Sequence, residues 1–306
     1  MRFTIYQESR QGGRRNNEDR VAHCYSREAL LVVVADGMGG HHYGEIAAQI
    51  AVQTLIHAFQ REARPTLTDP FSFLQQNIDA AHCAILDYAP QHKLDDSPRT
   101  TLVACVVQDN LAYWAHAGDS RLYLVRRGRV ISQTRDHSKV RYLLDEGLIS
   151  PAQAERHPER NKIYSCLGGS LFPEVTYSRR TRLETNDLLI LCTDGLWNTM
   201  PDNALVRALS VPHLPEAGRR FMQHAERQGG ASGDNLTLAV VRWEEDHVPP
   251  EALEGISTQH MDVTEVASTL ADFGRDSQYA SDLSDDEIEA AIAEIHAAIE
   301  KYAVPK

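Results

Sequence analysis

The sequence contains few cysteines and no hydrophobic run long enough to span a bilayer. The five cysteines are odd in number, widely spaced and mostly inside apolar runs, which argues against both a disulfide framework and a zinc site. The first 19 residues are polar and rich in arginine, unlike a signal peptide. We therefore expect a soluble, cytoplasmic protein with no membrane partner.

Most of the chain also lacks an excess of basic charge. The net charge is −12, but residues 246–306 hold 14 acidic residues against three basic ones, a net of −11. Residues 1–245 then hold 29 acidic and 28 basic residues, a net of −1. A near-neutral body without a basic stripe argues against nucleic acid as a partner, and equally against a metal-dependent nuclease.

What the sequence does contain is an apolar run that delivers a carboxylate into a glycine-rich corner. The run LLVVVA at residues 30–35 is typical of a buried strand, and it leads directly to Asp36-Gly37. Glycine has no Cβ, so the backbone can approach the carboxylate closely, as in sites that hold a hard cation. Taken alone, the corner is equally well explained as a tight turn with Asp as its turn residue.

Three further acidic corners favour the cation site. The run LLILCT leads to Asp194-Gly195 in the same way, and Asp119 and Asp234 lie at the ends of other predicted strands. Four carboxylates without His or Cys at ligand spacing favour Mg²⁺ or Mn²⁺ over zinc. Two such ions can share a bridging water and hold a phosphoryl group for in-line attack. A calcium-binding fold could use similar parts.

A polar string at residues 14–19 reads RRNNED. Two arginines and two carboxylates within six residues suit a phosphate and a hydrated metal together, and Arg14 could hold phosphate oxygens bidentately. A solvated loop is the alternative explanation of this string.

Periodicity along the chain predicts an α+β fold. A first strand is expected at residues 3–8, and long amphipathic helices are expected at residues 44–61 and 71–88. Strand runs joined by short turns at Asp109-Asn110 and Arg127-Gly128 indicate antiparallel hairpins, because parallel strands need long crossovers. Later in the chain we predict short helices at 140–146 and 151–156, a loop at 161–170, helices at 203–209 and 215–227, and a last strand at 236–243.

Seven motifs together resemble the metal-dependent protein phosphatases of the PP2C type, in their bacterial branch. In chain order they are RRNNEDR at 14–20, VADGMGGHHYGE at 34–45, TTL at 100–102, HAGDSRLYL at 116–124, TRDHS at 134–138, LCTDGLWN at 191–198 and GDNLT at 233–237. Each motif alone is weak, but their order makes the set specific. The resemblance covers about residues 2–243.

The resemblance implies a four-layer αββα fold, in which a central antiparallel β-sandwich is flanked by helix pairs. It implies a phosphatase domain at residues 1–245 that removes phosphate from phosphoserine and phosphothreonine in signal transduction. Phosphoprotein substrates and an opposing serine/threonine kinase are then the expected partners. An inactive binding module on the same fold is the alternative, although it would be expected to have lost metal ligands.

The resemblance also implies a metal-ligand set for two Mn²⁺ or Mg²⁺ ions. Asp36 matches the carboxylate that bridges both metals, and the Gly37 carbonyl matches a ligand of one of them. Asp194 and Asp234 match the ligands on one metal. Asp119 together with Asp194 matches a weaker third site.

The remaining site residues come from the polar string. Glu18 and Asp19 match carboxylates that hold metal-bound waters, and Arg14 matches the phosphate-binding arginine. Arg15 is the alternative candidate for the phosphate-binding arginine. The segment 139–175 resembles the family's flap beside the active site, where substrate choice tends to lie.

Two positions depart from the family pattern. Met38 stands where some members have a histidine that could act as general acid, so the leaving group must be protonated by water or by another group such as His41. Asn198 stands where other members have an additional Asp near the third metal, which weakens that site.

Residues 246–306 lie outside the resemblance and are predicted to be an acidic C-terminal extension. Ser284 and Glu287 have the spacing of a capping box, and an isoleucine stripe follows them. The pattern predicts a helix at 284–302 whose apolar face would pack against a partner surface. A partly disordered acidic extension is the alternative.

Overall fold

Two antiparallel sheets stack to form the centre of the protein. A computed structural model describes residues 1–38, 43–244 and 267–268. The first sheet has the spatial order β1 (Phe3–Arg10), β11 (Leu236–Trp243), β10 (Leu188–Cys192), β6 (Arg121–Arg126) and β7 (Arg129–Gln133). The second has the order β12 (Ala267–Ser268), β2 (Asp19–Tyr25), β3 (Ala29–Asp36), β4 (Leu102–Gln108), β5 (Leu111–Ala117) and β8 (Thr176–Tyr177), and β9 (Thr181–Arg182) also pairs with β5.

Helices cover the outer face of each sheet. The second sheet is covered by α1 (Gly44–Glu62) and α2 (Pro70–Gln91), and the first by α5 (Asp194–Thr199), α6 (Asp202–Leu209) and α7 (Leu214–Gly229). The short helices α3 (Lys139–Asp145) and α4 (Pro151–Glu155) lie between β7 and β8. The predicted α+β fold and its four αββα layers are confirmed.

The pleat of β3 explains why its sequence is apolar at every position. Leu31 and Val33 face the core beneath α1 and α2, whereas Leu30 and Val32 face the core between the two sheets. Because successive strand residues point to opposite faces, a strand that is covered on both sides reads as one continuous apolar run. The strand thereby fixes its last residue, Asp36, at the edge of the sandwich.

Within residues 1–38 and 43–244, the predicted helices and hairpins are confirmed with small shifts of their ends. The turn at Asp109-Asn110 has positive φ at both residues, 54° and 59°, as a two-residue hairpin turn requires. The sequence did not predict β2, β8, β9 or α5. It also did not predict that residues 267–268 of the extension pair with Tyr25 and Cys24 of β2.

The helix at 284–302 lies outside the described residues. No helix within residues 1–38 and 43–244 combines the length and the apolar composition needed to cross a membrane.

Candidate active site

One edge of the sandwich gathers the ends of the strands that carry the acidic corners. A cavity of about 650 Å³ opens there. Its wall includes most of the predicted site residues: Arg14, Glu18, Asp36, Gly37, Asp119, Asp194 and Asp234. Side chains separated by more than 200 positions in the chain thus meet in one place. Among the predicted site residues, only Asp19 is missing from this wall.

Asp36 is held at the end of β3 by Thr100 and Thr101, which directly precede β4. Its backbone N–H donates to the Thr101 hydroxyl at 3.2 Å, and its carbonyl accepts from the Thr101 N–H and the Thr100 hydroxyl, each at 2.9 Å. Burial raises the pKa of the Asp36 carboxyl well above its usual value, and the charge of Asp19 raises it further. Asp36 is therefore placed rigidly in a site that disfavours its charge.

The Gly37 backbone passes through a gap that no side chain could share. A Cβ at Gly37 would collide with the carbonyl of Gly44, and would lie 2.7 Å from the carbonyl of Glu18. The glycine is therefore required by close backbone approach, as the sequence suggested. It leaves the Gly37 main chain as part of the cavity wall.

Asp119 and Asp194 come to the cavity from different elements of the fold. Asp119 lies in the connection between β5 and β6, and Asp194 is the first residue of α5. Burial raises the pKa of both carboxyls, that of Asp194 to about 6. After burial, the charge of Asp194 is the largest contribution to the raised pKa of Asp119. The charge of Asp234 does the same for Asp194.

Asp19 lies below the cavity and faces Asp36 across the β2–β3 pair. Its Oδ2 accepts a hydrogen bond of 2.8 Å from the Thr193 hydroxyl, whereas its Oδ1 is buried and has no hydrogen-bond partner among residues 1–38 and 43–244. Burial raises the Asp19 pKa to about 7. Glu18 reaches the wall itself, and burial, followed by the charge of Glu45, raises its pKa to about 7.

Arg14 points across the cavity mouth to the opposite corner. Its Nη2 donates to Asp234 Oδ2 at 2.6 Å. The guanidinium that is predicted to bind phosphate therefore contacts a carboxylate that is predicted to bind metal. Arg15 also lines the cavity. Both arginines of the polar string are thus within reach of the same space.

A family model described as Protein phosphatase 2C matches residues 7–237. The chain belongs to the protein phosphatase 2C family. It is 35% identical over 227 residues to the serine/threonine protein phosphatase PstP of Mycobacterium tuberculosis, a match that covers 74% of this chain but 42% of PstP. It is 34% identical to the serine/threonine phosphatase stp of Listeria monocytogenes, over 74% of this chain and 90% of that protein.

A solved structure extends the likeness to the fold. The catalytic domain of PstP, in complex with two manganese ions, superposes with a TM-score of 0.67 at 33% identity. The superposition covers 79% of this chain and 99% of that domain. The chain therefore has the protein phosphatase 2C fold. It spans less than half the length of PstP as a whole.

The residues of this site carry the kind of donor atom that divalent cations prefer, but the donors are not arranged in advance around a metal position. Their donors are oxygens. Burial and then mutual repulsion raise the carboxyl pKa values, and a bound cation would offset both. In the described part of the chain, no three His, Cys, Asp or Glu side chains are arranged as a ready-made metal cage. Arg14 already contacts one oxygen of Asp234.

The two departures from the family pattern have different outcomes. Met38 lines the cavity and has no proton to donate, while the alternative donor His41 lies outside the described residues. Asn198 donates from its Nδ2 to Asp194 Oδ2 at 3.3 Å. Asn198 therefore orients an existing carboxylate, and it brings no second charge to that corner.

Sequence reasoning missed the residue that organises the polar string. Asn235 Oδ1 accepts from the Glu18 N–H at 2.9 Å, and its Nδ2 donates to the carbonyls of Gln11 and Asn16 at 2.7 and 2.9 Å. Its position beside Asp234 in GDNLT was the available signal. The predicted flap contributes Asn161 and Ile163 to the cavity wall, and neither was singled out in advance.

Proposed function

We propose that this protein is a metal-dependent phosphatase that hydrolyses phosphoserine and phosphothreonine in proteins. One observation supports this above all others: the four Asp corners converge with Arg14 on a single cavity. The family membership and the names of the mycobacterial and Listeria relatives agree with it. Phosphoproteins are then its substrates, and a serine/threonine kinase that modifies the same proteins is its counterpart.

The residues that would hold two Mn²⁺ or Mg²⁺ ions are Asp36, the carbonyl of Gly37, Asp194 and Asp234. Asp119 with Asp194 would hold a weaker third ion. When bound, such ions supply Lewis-acid activation of water and neutralise the charge of the phosphoryl group. The manganese ions of the related PstP domain support this assignment.

The chain's own side chains would bind and orient the reactants. Arg14 would bind the phosphate oxygens, because its guanidinium lies at the cavity mouth and matches their geometry. Glu18 in the wall and Asp19 beneath it would accept hydrogen bonds from water and keep it oriented. Asp19 Oδ1 is suited to this role, since this buried oxygen has no partner within the described protein.

The alternative of an inactive binding module is not favoured. Loss of chemistry would remove the selection that keeps several buried carboxyl groups together. The carboxylates of Asp36 and Asp119 are nevertheless held where burial and mutual repulsion both oppose their charge. An arrangement of this kind is unfavourable for stability alone and is typical of catalytic sites.

We further propose that residues 1–245 are the phosphatase domain and that residues 246–306 are a regulatory or partner-docking extension. The last strand of the first sheet, β11, ends at Trp243. The extension returns to the domain where residues 267–268 pair with β2, at the outer edge of the second sheet. Its charge of −11 suits a basic partner surface.

Hydrolysis of p-nitrophenyl phosphate by the purified full chain tests the metal requirement directly. Activity should be lost in excess chelator and should return when Mn²⁺ or Mg²⁺ is added back. Full activity in excess chelator would contradict the proposed mechanism.

A further inference from the structure

The turn that carries Asp119 is held by two neighbours from outside the turn. The Asp119 carbonyl accepts a hydrogen bond of 3.0 Å from Trp197 Nε1. Next to it, the Gly118 N–H donates to His137 Nδ1 at 3.2 Å, and the Gly118 carbonyl accepts from the His137 N–H at 2.9 Å. The position of the Asp119 carboxylate thus depends on where Trp197 and His137 are held.

Arg121 contacts Trp197 itself and the residue that precedes His137. Its Nε and Nη2 donate to the two oxygens of Asp136, the residue before His137, at 2.9 and 2.8 Å. The plane of the same guanidinium lies over the Trp197 ring, with 3.6 Å between Cζ and the ring centroid. A fork to a carboxylate and a stack on an indole both need the flat guanidinium of arginine, and lysine can reproduce neither geometry.

Trp197 also lies on the helix that carries Asp194, the second carboxylate of the proposed weaker metal site. Trp197 is in the first turn of α5, and α5 begins at Asp194. Holding the Trp197 ring against Arg121 therefore fixes Asp194 relative to Asp119. Tyr123 completes the arrangement, since Arg121 Nη1 donates to its hydroxyl at 3.1 Å and that hydroxyl donates to Asp202, the first residue of α6, at 2.9 Å.

We propose that Arg121 is a positioning residue that sets the separation of Asp119 and Asp194, and thereby the metal affinity of the weaker site they form. The proposal rests on the proposed function only in assuming that these carboxylates bind divalent cations. Arg121 acts through Trp197 and Asp136 and touches no reactant. Partners of this kind typically contribute about 10- to 100-fold to metal affinity.

The same strand supplies a matched control. Arg126 is the last residue of β6, as Arg121 is the first, and its Nε and Nη2 donate to the two oxygens of Asp187 at 2.9 and 2.7 Å. Five residues of strand place it about 17 Å from Arg121, away from the cavity. The two arginines thus make the same kind of ion pair, and only one of them is connected to the acidic corner.

The test is Mn²⁺ titration of the full chain by isothermal calorimetry, with wild type, Arg121→Lys and Arg126→Lys compared. Arg121→Lys keeps the positive charge, so any change reports the lost geometry. We expect its weakest Mn²⁺ site to lose about tenfold in affinity, with the tighter sites retained. Arg126→Lys should leave every Mn²⁺ site unchanged, even if its melting temperature falls. These readouts are independent of turnover.

Three results would overturn the proposal: an Arg121→Lys isotherm equal to wild type, an equal shift in Arg126→Lys, or a wild-type isotherm without a weaker Mn²⁺ site. Should Arg121→Lys not fold, Trp197→Phe takes its place. That change keeps a ring face for Arg121 but removes the N–H that holds the Asp119 carbonyl. It should weaken the same site, and an unchanged isotherm would be just as decisive against the proposal.

Discussion

The Arg14 guanidinium donates a hydrogen bond to the Asp234 carboxylate, with 2.6 Å between Nη2 and Oδ2. Arg14 is proposed to bind substrate phosphate, and Asp234 is proposed to bind metal. The side chains are 56% and 37% exposed, so their ion pair adds at most about 1 kcal/mol to stability and is exchanged easily. Phosphate and metal can therefore each replace one member of the pair at little cost.

Replacing Arg14 should weaken substrate binding more than it slows turnover. Arg14→Ala should raise the KM for a phosphopeptide by about 10- to 100-fold, the usual cost of a lost hydrogen bond to a charged group. Arg15→Ala should raise KM less, since phosphate binding is assigned to Arg14. Steady-state kinetics of both variants make the comparison. If Arg15→Ala is the more damaging, the assignment within the polar string is wrong by one residue.

Replacing Asp36 should remove nearly all turnover while the protein stays folded. Asp36→Asn exchanges a charged oxygen ligand for a neutral group of similar shape. The loss of activity should exceed the about 10- to 100-fold that follows when a residue hydrogen-bonded to a metal ligand is changed. Asp194→Asn should behave alike. The control is Asp109→Asn in the exposed β4–β5 turn, where φ is 54° and Asn is well tolerated. Comparable losses in the control would point to a general effect on folding.

The Asp36→Asn substitution should make the metal-free protein more stable. Burial and the charges of neighbouring Asp residues oppose ionisation of Asp36, so a neutral side chain removes repulsion. In excess chelator, thermal unfolding of Asp36→Asn should occur a few degrees above wild type, since about 1 kcal/mol shifts a domain of this size by about 2–4 °C. Added Mn²⁺ should then stabilise the variant less than wild type. A lower melting temperature in chelator would show that repulsion at Asp36 is not the dominant effect.

Much of the fold could be predicted because several elements show a clear periodicity. Continuous apolar runs identified β3 and β10, and helical spacing identified α1 and α2. Strand β2 was missed because its sequence, DRVAHCY, places Arg20 and His23 among apolar residues. The six-residue α5 was missed because Gly195 suggests a turn, whereas its glycine is needed by packing: a Cβ there would collide with the Asn235 carbonyl.

The site was predictable in its residue types and less so in its contacts. The acidic corners carry a local signal, an apolar run followed by Asp. The bond between Thr193 and Asp19 joins residues 174 positions apart, and that between Arg14 and Asp234 joins residues 220 apart. No local pattern encodes such pairs. The first arises when the two sheets stack, and the second when β1 pairs with β11. The organising role of Asn235 was missed for the same reason.

Removing the extension should leave the catalytic core intact. A chain that ends at residue 247 keeps every strand of the first sheet, and of the pairings that the structure describes it loses that of residues 267–268 with β2 in the second. It should fold and keep metal-dependent activity on a small phosphoester, with altered activity on its physiological phosphoprotein or altered partner binding. An insoluble or unfolded product would show that the extension belongs to the core.

Two further comparisons separate the ways in which the extension could act. If its acidic residues steer a basic partner, added salt should reduce the difference between full-length and shortened chains. If the predicted helix docks through its isoleucine stripe, the double variant Ile292→Asp and Ile299→Asp should reproduce the truncation. Binding measured at two salt concentrations with all three proteins distinguishes these cases.

The most direct test of the central claim is phosphate release from matched phosphoserine and phosphothreonine peptides in Mn²⁺, measured for the full chain and for Asp36→Asn. We predict steady release from both peptides by wild type, none after chelation, and release near background for Asp36→Asn. Release by wild type that persists in excess chelator, or release by Asp36→Asn at the wild-type rate, would contradict the account.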